Sequence, residues 1–259
     1  MLCKDIIKVI EHTYPKHAAL EWDNVGLLAG RMEKDVQKIY IAVDATDEII
    51  DDAIAKGADM LITHHPLIFE PLKQINDTQF ISYRILKLLQ HDIAYYAMHT
   101  NYDVLGMAEL AANIMGLTDT EVFEVTGQEP EQGIGRVGSL DKEMTLLDCC
   151  HLVKEKFNLK NVKVFGNLNT MVKRVAISPG SGKHMSGLAV QKKADVLVTG
   201  DIDHHEGIDA VAQGVAIIDA GHYGIEHIFV ADIATYLENQ LDNVSILTEI
   251  IKEPFQIIS

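Results

Sequence analysis

Cysteine is scarce in this sequence, with three residues among 259, and two of them are adjacent, Cys149 and Cys150. An odd number with this spacing makes no disulfide framework and no Cys-x-x-Cys metal site, so it favours a reducing cytoplasm. Long apolar runs are missing too, because no segment approaches the ~20 residues of a membrane helix. The first residues lack the charged-then-apolar layout of a signal peptide. These absences predict a cytoplasmic protein without membrane contact.

Positive charge is also in short supply. Lysine and arginine number 22 against 38 aspartates and glutamates, which gives a formal net charge of −16. A surface this acidic repels phosphate backbones, so nucleic acid is not an expected partner. One interpretation of the many carboxylates is that they keep the protein soluble, and another is that some of them surround cations; the two are compatible. Hydrophobic residues make up 47% of the chain, enough for the core of one large domain or two ordinary ones.

Short β-branched, apolar segments alternate with helical patterns along most of the chain. This alternation predicts an α/β fold with a mostly parallel sheet and helices on both faces. Ligands in such folds bind beyond the carboxyl ends of the strands. The predicted strands are 38–43, 60–63, 93–98, 172–177, 196–199, 215–218 and 244–251. The predicted helices are 2–12, 47–56, 80–90, 107–115, 145–157 and 225–240.

The alternation lapses between residues 118 and 135, where polar residues, glycine and proline accumulate. We therefore predict a first α/β domain over 1–125 and a second over 126–227, with 228–259 returning to complete the first.

The chain also contains an internal echo. Segment 38–42 resembles 174–178, and 58–63 resembles 194–199, both at an offset of 136 positions (174 minus 38, 194 minus 58). Two matches at one offset favour a duplicated α/β unit, whose strand ends can face one another across a shared cleft.

The first cluster of metal-binding residue types is Thr63-His64-His65-Pro66, directly after a predicted strand. Adjacent side chains point in different directions, so two nearby metals can take one histidine each more readily than one metal can take both. Pro66 confines His65 to extended geometry, which holds the pair in place. The alternative is a pair of surface loop histidines, and it is the better interpretation of His-His in isolation.

The second cluster runs from His99 to Asp103 and follows the strand predicted at 93–98. Asp103 offers a hard oxygen ligand. His99 is a candidate outer partner of the metal site or a proton shuttle. Taken alone, Asp103 is equally well explained as a helix N-cap or a turn residue.

The third cluster contains His222 and Glu226, which follow the strand predicted at 215–218 and open a long helix. Four residues apart, they share one helix face, which is a sound spacing for metal ligands, and the carboxylate can bridge two cations. An ordinary pair at a helix start is about as good an explanation of this cluster alone. Three such clusters after three predicted strands are much less readily explained by chance.

Five segments, in order from residue 20 to 226, resemble the signature segments of the NGG-interacting factor 3-like family, the GTP cyclohydrolase 1 type 2 homologs. They are Leu-Glu-Trp-Asp-Asn-Val-Gly-Leu at 20–27, Ile-Thr-His-His-Pro at 62–66, His-Thr-Asn-Tyr-Asp at 99–103, Thr-Gly-Asp at 199–201 and Asp-Ala-Gly-His-Tyr-Gly-Ile-Glu at 219–226. Most relatives have leucine where this chain has Tyr102, a departure that touches no expected ligand.

The resemblance implies two interlinked α/β domains, a dinuclear metal centre in the cleft between them and a ring-shaped homohexamer. The implied ligands are His64, His65, Asp103, His222 and Glu226. Imidazole with carboxylate suits zinc, iron, manganese or nickel better than magnesium or calcium.

Two functions fit these features. One is a metal-dependent hydrolase acting on a nucleotide or small phosphorylated metabolite, with His99 as proton shuttle. The other is a non-catalytic, metal-dependent binding or regulatory ring. Ligands without cysteine resemble open catalytic sites more than closed structural ones.

Several further signals point to ordinary structure. The segment 178–184 is glycine-rich but departs from the Walker pattern, so it predicts a strand-to-helix turn. The segment 205–209 resembles a zincin motif but ends in aspartate, which excludes that site, although His204 and His205 can still line the cleft. We expect burial for Trp22 and for the adjacent cysteines.

Overall fold

The structure is a computed structural model that describes residues 1–127, 129 and 131–258. The chain divides into two compact units. The first consists of Met1–Tyr102 and Phe229–Lys252, and the second of Asp103–Ile228 and Glu253–Ser259. Each unit has its own sheet flanked by helices, so the fold is mixed α/β. Within the described residues, every helix is too short or too polar to cross a membrane.

The strands and helices are numbered here in chain order. The strands are β1 Gly26–Ala29, β2 Lys38–Ala42, β3 Met60–Thr63, β4 Ala94–Ala97, β5 Thr118–Val125, β6 Gly133–Thr145, β7 Lys163–Phe165, β8 Met171–Ser181, β9 Val196–Gly200, β10 Ala216–Asp219 and β11 Ser245–Thr248. The helices are α1 Cys3–Thr13, α2 Asp47–Ala55, α3 Phe80–Gln90, α4 Thr100–Tyr102, α5 Ala108–Met115, α6 Leu146–Lys156, α7 Ser186–Gln191, α8 His204–Ala212, α9 His222–Glu226 and α10 Ile228–Gln240.

The sheet of the first unit has the strand order β1-β4-β3-β2-β11. All its neighbours run parallel except β1, which pairs with β4 in the antiparallel sense. The inner strands are mostly apolar and buried, as expected for strands covered on both faces. Helix α2 begins where the Thr46 side chain accepts a hydrogen bond from the Ile49 backbone N–H, 3.2 Å away. This sheet matches the mostly parallel arrangement predicted from the sequence.

The sheet of the second unit has the order β5-β6-β8-β9-β10-β7 and is mixed. The pairs β8–β9 and β9–β10 are parallel, while β5–β6, β6–β8 and β10–β7 are antiparallel. The prediction of a mostly parallel sheet is therefore wrong for this unit. Val196 and Val198 pack into one apolar cluster and the intervening Leu197 into another, so both faces of the sheet are covered.

The two units repeat one structural detail at the offset seen in the sequence. Ile39 lies opposite Met60 in the pair β2–β3, and Val175 lies opposite Val196 in β8–β9, again 136 positions apart (175 minus 39, 196 minus 60).

The aspartate that precedes β3 and the aspartate that precedes β9 make the same hydrogen bonds. Asp59 Oδ2 accepts hydrogen bonds from the backbone N–H groups of residues 37 and 38, and Asp195 Oδ2 from those of 173 and 174. Both the register and the carboxylate bridge thus recur at one offset.

The lapse at 118–135, from which the domain boundary was predicted, is not a break in the fold. Thr118–Val125 and Gly133–Thr145 are paired antiparallel strands of the second sheet, and the compact units divide earlier, between Tyr102 and Asp103. Strand β5 lies at the edge of its sheet and is mostly exposed, so its sequence is polar and resembles a loop. Gln128 and Pro130, whose composition contributed to the predicted boundary, lie outside the described residues.

The helix predicted at 225–240 is divided at His227, so that its first residues belong to α9 and the rest to α10. The strand predicted at 244–251 is the shorter β11, which pairs with β2. The glycine-rich segment is the predicted strand-to-helix turn, because β8 ends at Ser181 and α7 begins at Ser186. Cys149 and Cys150 are buried, as predicted.

Candidate metal-binding site

In the first unit, His64 and His65 follow the carboxyl end of β3. His64 is fully buried, and its Nδ1 lies 2.8 Å from the Met98 carbonyl oxygen. The His65 Nδ1 lies 2.8 Å from Asp44 Oδ1. Both oxygens are acceptors, so Nδ1 of each ring is the protonated nitrogen and donates the bond. This tautomer carries the lone pair that binds a metal on Nε2.

His99 follows the neighbouring strand β4, and its side chain lies close to those of His64 and His65. Its Nδ1 donates to Asp23 Oδ1 at 2.9 Å, and nitrogen atoms of the three rings lie within 4.8 Å of one another. Burial raises the pKa of the Asp23 carboxyl, but the hydrogen bonds from His99 and Thr100 outweigh burial and lower this pKa to about 2. Asp23 is therefore ionised at neutral pH and fixes the orientation of the His99 ring.

In the second unit, His222 and Glu226 lie at the two ends of α9, which follows β10. The His222 Nε2 is 3.0 Å from Glu226 Oε2, so the two side chains share a helix face as their spacing predicts. The His222 Nδ1 is 2.7 Å from Asp201 Oδ2. Glu226 is buried, and one of its carboxylate oxygens lies within 4.8 Å of an oxygen of Asp103.

Asp103 begins a π-helical segment, Asp103–Met107, rather than an ordinary helix or turn. Such segments interrupt regular helices and occur frequently at functional sites. The interpretation of Asp103 as the N-cap of an α-helix is therefore wrong.

Two glycines leave room for the second-unit residues. Gly180 has a positive φ of 81°, and a methyl group added there would overlap Glu226 Oε1. A methyl group on Gly200 would lie 2.5 Å from the His222 backbone nitrogen and 2.7 Å from its Cα. The backbone of His222 thus passes directly over Gly200, and this close approach requires glycine in the Thr-Gly-Asp segment.

We expect Gly200→Ala to weaken metal binding by about 10-fold or more, because the methyl group must displace the backbone that carries His222. The measurement is metal affinity by isothermal titration, together with thermal unfolding. Gly187→Ala is the matched control, since no atom lies within 4 Å of its added methyl group. Equal metal affinity in the two variants would contradict the prediction.

A cavity of about 630 Å³ borders His222 in the second unit. Lys160, Lys163 and the C-terminal segment 253–257 contribute to its lining. The Lys163 ammonium group pairs with Asp219 Oδ2 at 2.8 Å, whereas Lys160 is exposed. Asp201, Asp219 and Glu253 line the same cavity, so its lining carries both signs of charge, and the exposed Lys160 is a group that suits a negatively charged ligand.

The chemistry of these residues fits divalent cations. His64, His65, His99 and His222 each direct Nδ1 at a carbonyl or carboxylate oxygen, which is the arrangement of metal-binding imidazoles with their supporting partners. The buried Glu226 carboxylate lies beside His222 in the second unit, and imidazole with carboxylate is a donor set for zinc, iron, manganese or nickel.

Sequence reasoning missed the residues that support the histidines. These are Asp23, Asp44, Asp201 and the Met98 carbonyl. Asp23 and Asp201 do lie inside the Glu-Trp-Asp-Asn and Thr-Gly-Asp segments, so those segments contained a usable signal. His204 and His205 are exposed at the start of α8. The expectation that Trp22 is buried is wrong, because 62% of it is exposed.

Comparison with known proteins places this site in context. The family described as Duf34/NIF3 (NGG1p interacting factor 3) matches residues 1–254. A Clostridium perfringens relative named "GTP cyclohydrolase 1 type 2 homolog" is 35% identical over 262 aligned positions, covering 100% of both chains.

Solved structures show the same fold. A Bacillus cereus protein related to NIF3 superimposes with a TM-score of 0.92 at 28% identity, covering 100% of this chain and 99% of that one. A Staphylococcus aureus hypothetical protein has a TM-score of 0.89 at 32% identity, with the same coverage.

Proposed function

The chain belongs to the Duf34/NIF3 family, and from this premise we propose that it is a divalent-metal-dependent hydrolase with a dinuclear centre. The observation that carries the proposal is the common anchoring of four histidines through Nδ1. It leaves Nε2 of His64, His65 and His222 as the metal-binding nitrogen and Nε2 of His99 for proton transfer. Structural zinc sites are more often built with cysteine, and this candidate site contains none.

We assign five residues to the two cations, namely His64, His65, Asp103, His222 and Glu226. His64 and His65 would serve different metals, and Glu226 would be the candidate bridge. Five protein ligands leave coordination positions for water and substrate, since these cations take four to six ligands. When bound, such a pair lowers the pKa of a coordinated water toward ~7 and supplies hydroxide at neutral pH.

His99 transfers the proton in this proposal. Its Nδ1 is held by the ionised Asp23, so its Nε2 is the nitrogen that accepts or returns a proton. Lys160, on the rim of the cavity beside His222, orients a negatively charged group of the substrate. These roles favour a nucleotide or another small phosphorylated metabolite, in agreement with the name that the relatives carry.

We further propose that the units arose by duplication, which the shared register and the paired Asp59 and Asp195 bridges support. Family membership leads us to propose a ring-shaped homohexamer. The buried, unbonded cysteines agree with a reducing cytoplasm as the place of action.

The test is turnover by metal-loaded protein on a panel of GTP, other nucleotides, cyclic nucleotides and phosphoesters, followed by chromatography. We expect metal-dependent turnover of at least one member, and loss of at least ~100-fold in Asp103→Ala, because a ligand of the centre is removed. Asp141→Ala, which removes an exposed carboxylate, is the matched control and should retain activity. Formate release from GTP would identify a cyclohydrolase. An inactive panel with metal fully bound would favour the binding ring instead.

A further inference from the structure

Two large aromatic side chains of the first unit lie in solvent beside His99. Trp22 is 62% exposed and Phe69 is 54% exposed. The ring centroids of both lie 5.9 Å from the His99 centroid, at interplanar angles of 73° for Trp22 and 89° for Phe69. A single exposed aromatic side chain is ordinary on a protein surface. Two that contact the same candidate proton-transfer residue form an apolar patch, here called the aromatic surface, which can bind a ligand.

Hydrogen bonds hold the two loops that carry these rings. Asp23, whose side chain is fully buried, accepts bonds from the His99 ring and from the backbone N–H of Thr100, 3.0 Å away. The Asn24 side-chain nitrogen donates to the Ile68 carbonyl oxygen at 2.7 Å. Asp23, the residue after Trp22, is thus bonded to His99. Asn24 is bonded to Ile68, the residue before Phe69. Both rings are exposed on fixed backbone, so little conformational entropy is lost when they bind a ligand.

His99 lies next to this aromatic surface and also next to His64 and His65. Its ring centroid is 5.3 Å from that of His64 and 5.5 Å from that of His65. A ligand in contact with Trp22 and Phe69 therefore lies close to His99. Exposed aromatic side chains recognise planar heterocycles by stacking, and the π-faces of nucleobases suit them.

We propose that Trp22 and Phe69 form a binding site for the planar base of a nucleotide, which positions the base beside His99. The nucleotide class rests on the proposed function, whereas the aromatic surface is independent of turnover. The two side chains act as binding residues, and the phosphate lies elsewhere in the site. Stacking on one such ring typically changes affinity by about 10-fold or more.

Trp22 is the single tryptophan of the chain, so its fluorescence reports this site directly. The metal-loaded protein is titrated with GMP, AMP and ribose 5-phosphate, and absorption by the bases is corrected with free N-acetyltryptophanamide. We expect saturable quenching by the two nucleotides and none by ribose 5-phosphate, which lacks the base. Phe69→Ala should raise the nucleotide Kd about 10-fold, while Phe69→Tyr should stay within about twofold. Phe80→Ala, at an exposed phenylalanine of α3 outside the cavity lining, is the matched control.

Equal quenching by ribose 5-phosphate, or an unchanged Kd in Phe69→Ala, would overturn the inference. So would light scattering in which Phe69→Ala dissociates the assembly while nucleotide affinity is unchanged, because the aromatic surface would then be a contact between copies. Nucleotide turnover without base-dependent quenching would retain the hydrolase and refute the base site. Base-dependent quenching sensitive to Phe69, without turnover of any panel member, would retain the base site and refute the hydrolase.

Discussion

His64→Ala is expected to lower the affinity for metal by more than about 100-fold. Loss of a supporting partner alone commonly costs 10–100-fold, and this substitution removes the proposed ligand itself. His64 has no exposed surface, so water entering from solvent is poorly placed to replace the imidazole. The Met98 carbonyl oxygen also loses its donor, which destabilises the loop that leads to His99.

The measurement is elemental analysis after dialysis against a fixed concentration of free metal, with titration calorimetry for the affinity. His151→Ala removes an exposed histidine from α6 and should bind metal like the wild type. Glu226→Ala tests the second unit in the same way. Metal content that stays unchanged in both His64→Ala and Glu226→Ala would eliminate the proposed centre.

Phe229→Ala should reduce the free energy of unfolding by about 3–5 kcal/mol, because it removes a large, fully buried ring and leaves a cavity. The ring centroid of Phe229 lies 5.2 Å from that of His64 and 5.1 Å from that of Tyr102. Metal affinity should therefore fall together with stability, as His64 loses the surface that fixes its position.

Urea unfolding measures the first effect, with Phe229→Leu as a smaller change expected to cost about 1–1.5 kcal/mol. Phe255→Ala, at a position 53% exposed, should change stability by less than about 0.5 kcal/mol. A loss below about 1 kcal/mol in Phe229→Ala would show that this packing contributes little to stability.

The sequence predicted the elements that carry the candidate site because their signals are local. Strands β3, β4 and β10 are short apolar runs, and the histidines of interest follow each within a few residues. The helical spacing of His222 and Glu226 was likewise sufficient to put both on one face. Metal-binding residue types that directly follow a buried strand can be recognised from the sequence without any knowledge of tertiary contacts.

The hydrogen bonds that orient the histidines could not be predicted from the sequence, because they join distant parts of the chain. Asp23 and His99 are 76 residues apart, and Asp44 and His65 are 21 apart. Nothing in the local pattern around an aspartate identifies the histidine it will orient. The burial of Trp22 was wrongly predicted for a related reason. Tryptophan is highly buried on average, and the exposure of this one follows from the hydrogen bond between its neighbour Asp23 and the distant His99.

The interrupted path of the first unit has a consequence for the newly made protein. Residues 229–252 belong to that unit, but the last of them emerges from the ribosome 150 residues after Tyr102 (252 minus 102), a delay of about 8–30 s at ~5–20 residues per second. During this interval β2 is an open edge without β11, and the Val43 backbone N–H lacks the Glu249 carboxylate that accepts it at 2.9 Å. Residues 103–228 are already available to fold. His64 receives its Phe229 neighbour only after residues 103–228 have been made, so nascent chains that stop before Phe229 should not retain metal there.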